Sequence, residues 1–207
     1  VGVSRDEAGP FVRFADRRTE RFDDVVLATH SDQALQLLEQ PTKDESRLLG
    51  AIGYRPNRAI LHRDTALMPR RRKAWAAWTH KGYSDRAGEG GVTYWMNELQ
   101  SLDGPPLFVS LNPVKDPDPA LVLGEWDYEH PVFDTGAVRA QSELWSLQGQ
   151  GGVWFAGAWF GSGFHEDGLQ AGLAVAEQLG GVRRPWSVAN ESGRIVLGAP
   201  PALSEAA

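Results

Sequence analysis

With 207 residues, 42% of them hydrophobic and 23% charged, the chain has the composition of a soluble globular protein and the length for one large domain or two small ones. A formal charge of −6 argues against nucleic acid as the main partner, and the absence of cysteine excludes disulfides, a thiol nucleophile and a thiolate-bound metal. No apolar run approaches the roughly 20 residues that cross a bilayer and no secretory signal opens the chain, so the expectation is a cytoplasmic protein without a transmembrane segment, with peripheral membrane contact left open and the oligomeric state unread.

Taken in order, Val1-Gly2-Val3 enters at once into strand-like alternation, and residues 1 to 22 read as a β-hairpin turning around Asp6 to Pro10. Phe22 to His30 is β-branched and apolar without alternation, which predicts a strand buried on both faces. Ser31 or Asp32 can cap a helix carrying Ala34, Leu35, Leu37 and Leu38 as far as Pro41, and Thr42-Lys43-Asp44-Glu45 has capping-box spacing ahead of Leu48, Leu49 and Ile52. Between Pro56 and His130 the pattern changes to short β-runs: Arg58 to His62, Ala74 to His80, Val92 to Met96, Leu107 to Leu111 and Leu121 to Tyr128. Turn signals at Met68-Pro69, Lys81-Gly82, Gly88 to Gly91, Gly104-Pro105-Pro106 and Asn112-Pro113 separate them, as in an antiparallel meander. The basic run Arg70-Arg71-Arg72-Lys73 reads as a solvated loop tip.

Gly136 to Gln148 then predicts a returning helix. Val153-Trp154-Phe155-Ala156, flanked by glycines, is a short buried strand, and Gly161 and Gly163 turn the chain. From Gly168 onward, Leu169, Gly172, Leu173, Ala176 and Leu179 recur at helical spacing, with Asp167 as N-cap and Gly180 as the left-handed residue after the end. A helix opening at a bare glycine presents unpaired N–H groups and partial positive charge to an electron-rich ligand atom. Residues 182 to 207 have the composition of a flexible tail.

Phe155-Ala156-Gly157 followed by Gly163-Phe164-His165-Glu166-Asp167-Gly168-Leu169-Gln170-Ala171-Gly172 resembles the C-terminal flavin-binding segment of the FAD-dependent amine oxidase and phytoene desaturase superfamily, in wording nearest to bacterial predicted NAD/FAD-binding oxidoreductases. Asp24-Val25-Val26-Leu27-Ala28-Thr29 is similar to the strand that closes the meander of the FAD domain in the same flavoproteins. The order of elements also resembles that family, in which a substrate domain is inserted into the FAD domain. The resemblance implies an α/β (α+β) chain: residues 1–35 as the end of the FAD-domain meander and its strand, 36–150 as the substrate domain, 151–181 as the last FAD-domain strand and helix, and 182–207 as tail. It implies FAD as cofactor, with Ala28 and Thr29 near the dinucleotide, Gly157 and Ala158 near the ribityl-pyrophosphate, and Gly168 and Leu169 facing the N1/C2 edge of the flavin. One departure is Ala158, where amine oxidases proper carry an acid.

A dinucleotide site of this kind needs Gly-x-Gly-x-x-Gly between a strand and a helix, and neither Gly149-Gln150-Gly151 nor Gly161-Ser162-Gly163 completes that spacing. The expectation is therefore a C-terminal fragment, valine-initiated, whose phosphate-binding unit lies upstream; the rival is a self-sufficient domain that never bound FAD. Because the flavin itself accepts the hydride, an acid–base residue is optional. His165 beside the helix start is the catalytic candidate, with His62 and His80 behind it, and Glu166 and Asp167 are candidates for bonding ribityl or ribose hydroxyls. Alternation sends Trp75 and Trp78 to opposite faces of the expected sheet, one for the core and one for a hydrophobic or amine substrate. Two other classes stay open: a tryptophan-rich binding module, and an inactive flavoprotein relic.

Overall fold

The opening alternation folds as an antiparallel hairpin, β1 (Gly2–Asp6) and β2 (Gly9–Arg13), which β3 (Thr19–Arg21) extends to three strands. Val3 pairs with Val12 across the hairpin and is buried in the core. β4 (Val25–Leu27) follows, then α1 (Ser31–Leu37) and α2 (Lys43–Leu49). The capping box forms: Thr42 Oγ1 accepts the Glu45 N–H at 3.1 Å, and Glu45 Oε2 accepts the Thr42 N–H at 2.7 Å. The same buried Glu45 carboxylate accepts from Arg5 of β1 at 2.6 Å, so one side chain both caps α2 and ties it to the hairpin.

The computed structural model describes residues 1–82 and 90–198. The turn expected at Gly88 and the tail beyond Gly198 lie outside the described residues. The chain divides into two compact units, Val1–Tyr54 with Pro131–Ala207, and Arg55–His130.

In the second unit the β-runs form a five-stranded sheet. Its strands are β5 (Gly53–His62), β6 (Trp78–Gly82), β7 (Gly90–Trp95), β8 (Phe108–Leu111) and β9 (Val122–Val132), in the spatial order β6-β7-β8-β5-β9, with a short α3 (Met96–Gln100) after β7. β6, β7, β8 and β5 pair antiparallel in a register that sets Trp78, Tyr94, Val109 and Leu61 in a row on one face. Thr93, Ser110 and Ile60 form the matching row on the other. The strand expected from Ala74 begins only at Trp78, because the chain folds back: Trp75 donates its indole N–H to Pro69 O at 2.8 Å and packs edge-on against Trp95 and Phe108. Trp75 and Trp78 thus serve opposite faces by a route that alternation alone does not describe.

Returning to the first unit, α4 (Thr135–Gln141) is capped by Asp134 and passes into a 3-10 turn at Leu144–Leu147, so the single helix expected from Gly136 to Gln148 is broken after Gln141. β10 (Val153–Phe155) pairs parallel with β4, Val153 opposite Val25 and Phe155 opposite Leu27, and α5 (His165–Gln178) closes the described elements. Leu27, Leu49, Leu144, Phe155, Ala171 and Val175 belong to one core cluster. β4 is not buried on both faces: Leu27 is buried while Val26 is 43% exposed. The architecture is a mixed helix and sheet fold with antiparallel sheets and one parallel pair. Among the described residues no helix is long and apolar enough to cross a membrane.

Candidate functional site

In an open parallel arrangement ligands lie beyond the carboxyl ends of the strands. Here those ends are adjacent. Ala28 and Thr29 continue from Leu27, Ala156 and Gly157 continue from Phe155, and the Ala156 N–H bonds Leu27 O at 3.1 Å as the last rung. The buried Trp159 then ties the two together, donating its indole N–H to Thr29 O at 2.9 Å. α5 arrives from the other side: a Cβ on Gly168 would stand 3.5 Å from the Ala158 nitrogen. Ala28, Thr29, Gly157, Ala158 and Gly168 therefore meet at one end of the parallel pair, all of them small.

The start of α5 differs from the sequence expectation. The helix begins at His165, with Phe164 in the N-cap position and Asp167 in the first turn, so neither is Asp167 the N-cap nor Gly168 the first residue. Gly163 reverses the chain at φ +86°, four residues before the expected cap. Asp167 then reaches back: its Oδ2 accepts the Phe164 N–H at 2.7 Å and the Ser162 N–H at 3.0 Å, and its Oδ1 accepts Arg194 Nε at 2.6 Å. Gly161 fits over this carboxyl only without a side chain, since a Cβ would lie 2.7 Å from its Cγ. Burial pushes the Asp167 pKa up, but the Arg194 guanidinium and the two backbone donors outweigh it and hold the carboxyl below the usual carboxylate range.

The consequence concerns which donors are free. The N–H groups of Asp167 and Gly168 both point to Phe164 O, at 3.0 and 3.3 Å. Those of His165 and Glu166 have no acceptor among the described residues, as the first turn of a helix requires. Leu169, half exposed, contributes an apolar side chain. Glu166 is exposed and accepts from Gln170 at 2.9 Å, and His165 is exposed beside it. Arg194 carried no signal in the sequence: it lies in a stretch without periodicity, where Ile195 is buried in the core and Arg184 pairs with Glu177 at 2.8 Å.

Three further histidines, His30, His62 and His80, have different surroundings. His80 is exposed on β6. His62 is fully buried; its Nδ1 accepts the Asp64 N–H at 3.1 Å, which places the proton on Nε2, and Nε2 donates to Ser110 Oγ at 2.8 Å. Ser110 and Thr93 share a further hydrogen bond of 2.7 Å. A serine that receives a proton donor from its histidine is not being activated as a nucleophile, so this pair is a piece of sheet core. His30, which the sequence did not single out, follows Thr29 and stacks on Tyr54 with ring centroids 4.4 Å apart and planes 13° from parallel. Its position at the end of β4 becomes visible only once the strand is seen to stop at Leu27.

In chain order, the fold sets an antiparallel sheet between the two strands of a parallel pair. Solved structures similar to it include reduced UDP-galactopyranose mutase, with TM-score 0.55, 13% identity, and coverage of 96% of this chain and 50% of that one. Cyclohexylamine oxidase from Brevibacterium oxydans IH-35A gives TM-score 0.53 and 16% identity over 86% of this chain and 48% of that one. A CLA-producing fatty acid isomerase from P. acnes gives TM-score 0.49 and 15% identity over 75% and 41%. At these identities the likeness is one of fold, and the chain spans at most half the length of these solved chains. No family model matches the chain. No curated protein matches it either.

Proposed function

We propose that the chain is the carboxyl-terminal part of an FAD-dependent oxidoreductase of the amine-oxidase and desaturase kind, completed by an upstream Gly-x-Gly-x-x-Gly unit that holds the pyrophosphate. The observation that carries the reading is the end of the β4–β10 pair, where Ala28, Thr29, Gly157 and Ala158 meet the first turn of α5. The exposure of Val26 supports it: strands of parallel sheets are ordinarily covered on both faces, and the ladder turns the Val26 N–H and C=O away from β10, to the side on which a further strand would pair.

Bound flavin would supply the hydride acceptor. The residues present fit one side of such a group. Small side chains let it approach the backbone, and the His165 and Glu166 N–H groups offer two donors at the positive end of a helix. Asp167 is committed to Ser162, Phe164 and Arg194, so its part is to fix the turn, and Glu166 is the carboxylate left to meet ribityl or ribose hydroxyls. Gly168 and Leu169 border the site sterically, and the exposed His165 at the start of α5 is the side chain proposed to touch substrate or cofactor. The sheet face bearing Trp78, Tyr94, Val109 and Leu61 is the surface proposed for a hydrophobic or amine substrate.

The test is flavin retention. The 207-residue chain and a version extended upstream through its reading frame are purified, and their flavin absorbance is compared. The extended protein should be yellow and the shorter one colourless; stoichiometric FAD on the shorter chain, or none on either, would reject the reading.

A further inference from the structure

We propose that the basic turn Arg70-Arg71-Arg72-Lys73 docks the protein on a membrane surface rich in anionic phospholipid headgroups. The proposal is independent of the flavin reading. All four side chains are exposed. Among the described residues none of them has a carboxylate within 4.0 Å, in a chain whose net charge is −6 and whose Arg5, Arg21, Arg47, Arg58, Arg184 and Arg194 each meet one. Four consecutive exposed cations with no carboxylate partner among the described residues repel one another, and together they make a local concentration of positive charge that an anionic surface outside the fold would relieve.

The turn is also held in place. Leu67 and Met68 are buried just before it, and Trp75 is fastened just after it by its bond to Pro69 O and its packing on Trp95. Between them the chain closes a 3-10 turn, with the Ala74 N–H on Arg71 O at 2.9 Å and the Trp75 N–H on Arg72 O at 3.1 Å, and Arg72 lies over the Trp75 ring at 5.2 Å. A fixed display of charge loses little conformational freedom on binding.

The choice of a bilayer over a nucleic acid follows from shape and neighbours. The charges sit on a single turn, which can touch a flat anionic surface, whereas a nucleic acid backbone is met by cations spread along a groove or stripe. Arg72 also shares a shallow hollow with Leu102, and Leu102 and, three residues before it on α3, Leu99 are exposed by 41% and 42%, giving apolar groups to enter the headgroup region. Glu98 and Asp103 line the same hollow, and among the described residues neither comes within 4.0 Å of a charged group of the turn.

The protein is sedimented with vesicles of phosphatidylglycerol mixed with phosphatidylcholine, and with phosphatidylcholine alone. Binding should require the anionic lipid and fall steeply as salt is raised. Arg70→Gln/Arg71→Gln/Lys73→Gln should weaken it at least about tenfold, as expected for three surface cations. These exposed substitutions should leave the melting curve unchanged. Arg17→Gln/Arg139→Gln, which removes two exposed cations elsewhere, should bind like wild type, and Leu99→Ser/Leu102→Ser should weaken binding at unchanged charge. Equal binding to neutral vesicles, undiminished binding by the triple variant, or displacement from anionic vesicles by a single-stranded oligonucleotide at equal phosphate would overturn the proposal.

Discussion

Asp167 in the first unit and His62 in the second are both ionisable side chains with no exposed surface, and the fold keeps them buried by opposite means. Asp167 stays charged, because two backbone N–H groups and a guanidinium surround it. His62 stays neutral, because burial pushes its pKa down, and each ring nitrogen is given a partner that suits one tautomer. The difference follows from what each holds. The Asp167 carboxylate gathers a turn whose N–H groups would otherwise diverge, so its charge organises backbone next to the candidate cofactor site. His62, Ser110 and Thr93 only need to be mutually satisfied within a sheet.

The largest effect is expected where charge is removed. Asp167→Ala strips the acceptor from the Ser162 and Phe164 N–H groups and leaves Arg194 without its partner, which should cost about 3 kcal/mol. Chemical denaturation measures it. A loss below about 1 kcal/mol, the size of one ordinary hydrogen bond, would show that the turn holds itself and that the contrast with His62 is misplaced.

A smaller loss is expected in the neutral cluster. Ser110→Ala removes the acceptor of the buried His62 Nε2–H and the partner of Thr93, for roughly 2 kcal/mol. Amide exchange should accelerate in β5, β7 and β8 and stay unchanged at Ser162 and Phe164. Accelerated exchange at those turn amides would break the separation between the two clusters.

Acid titration sharpens the comparison further. The folded pKa of His62 lies below 6.5, with Asp64 opposing part of the burial, so the unfolded chain takes up its proton first and stability is lost as pH falls from 6.5 toward the folded value. The folded pKa of Asp167 lies below 3.8, so its contribution is intact above that value and disappears as pH falls below it. Stability should therefore decline in two stages, first with His62 and then, below 4.5, with Asp167 together with Glu125, Glu177, Asp6 and Asp64, whose pKa values are also held down; His62→Gln should remove the first stage alone. A His62→Gln protein that retains the decline starting near 6.5 would assign that stage to another group.

How legible these features were in the sequence depends on the reach of the interactions behind them. The Thr42–Glu45 box and the left-handed Gly180 were readable because each is settled within a few residues. The β-runs of the second unit were readable from their turns, except where Trp75 abandons the strand to fill a hollow against Trp95 and Phe108. The small residues of the candidate site stood out by type. Its free donors did not: the start of α5 moves to His165 because Gly163 turns early and because Asp167 finds Arg194, a partner 27 residues away in a stretch with no pattern of its own. Parallel pairing of β4 with β10 was likewise beyond local reading; the resemblance assigned both strands to one FAD domain without pairing them.

The smallest expected effect is at Gly168, and its sign is informative. A methyl there would stand 3.5 Å from the Ala158 nitrogen and 3.8 Å from its Cα, ordinary contact distances, and glycine within a helix costs about 1 kcal/mol relative to alanine. Gly168→Ala should therefore raise the melting temperature slightly, with a gain of at most about 1 kcal/mol. Gly168→Val adds branches on the side facing Ala158 and gives up helix propensity, so its stability should fall back to that of wild type or below. If a flavin ring approaches the backbone at Gly157 and Ala158, the same methyl lies at its border, and FAD affinity of the upstream-extended protein should fall in Gly168→Ala even as its stability rises. Packing alone cannot move the two in opposite directions, since a better-packed helix would hold the site more firmly. Equal FAD affinity in a stabilised Gly168→Ala protein would confine Gly168 to helix packing and remove it from the cofactor site.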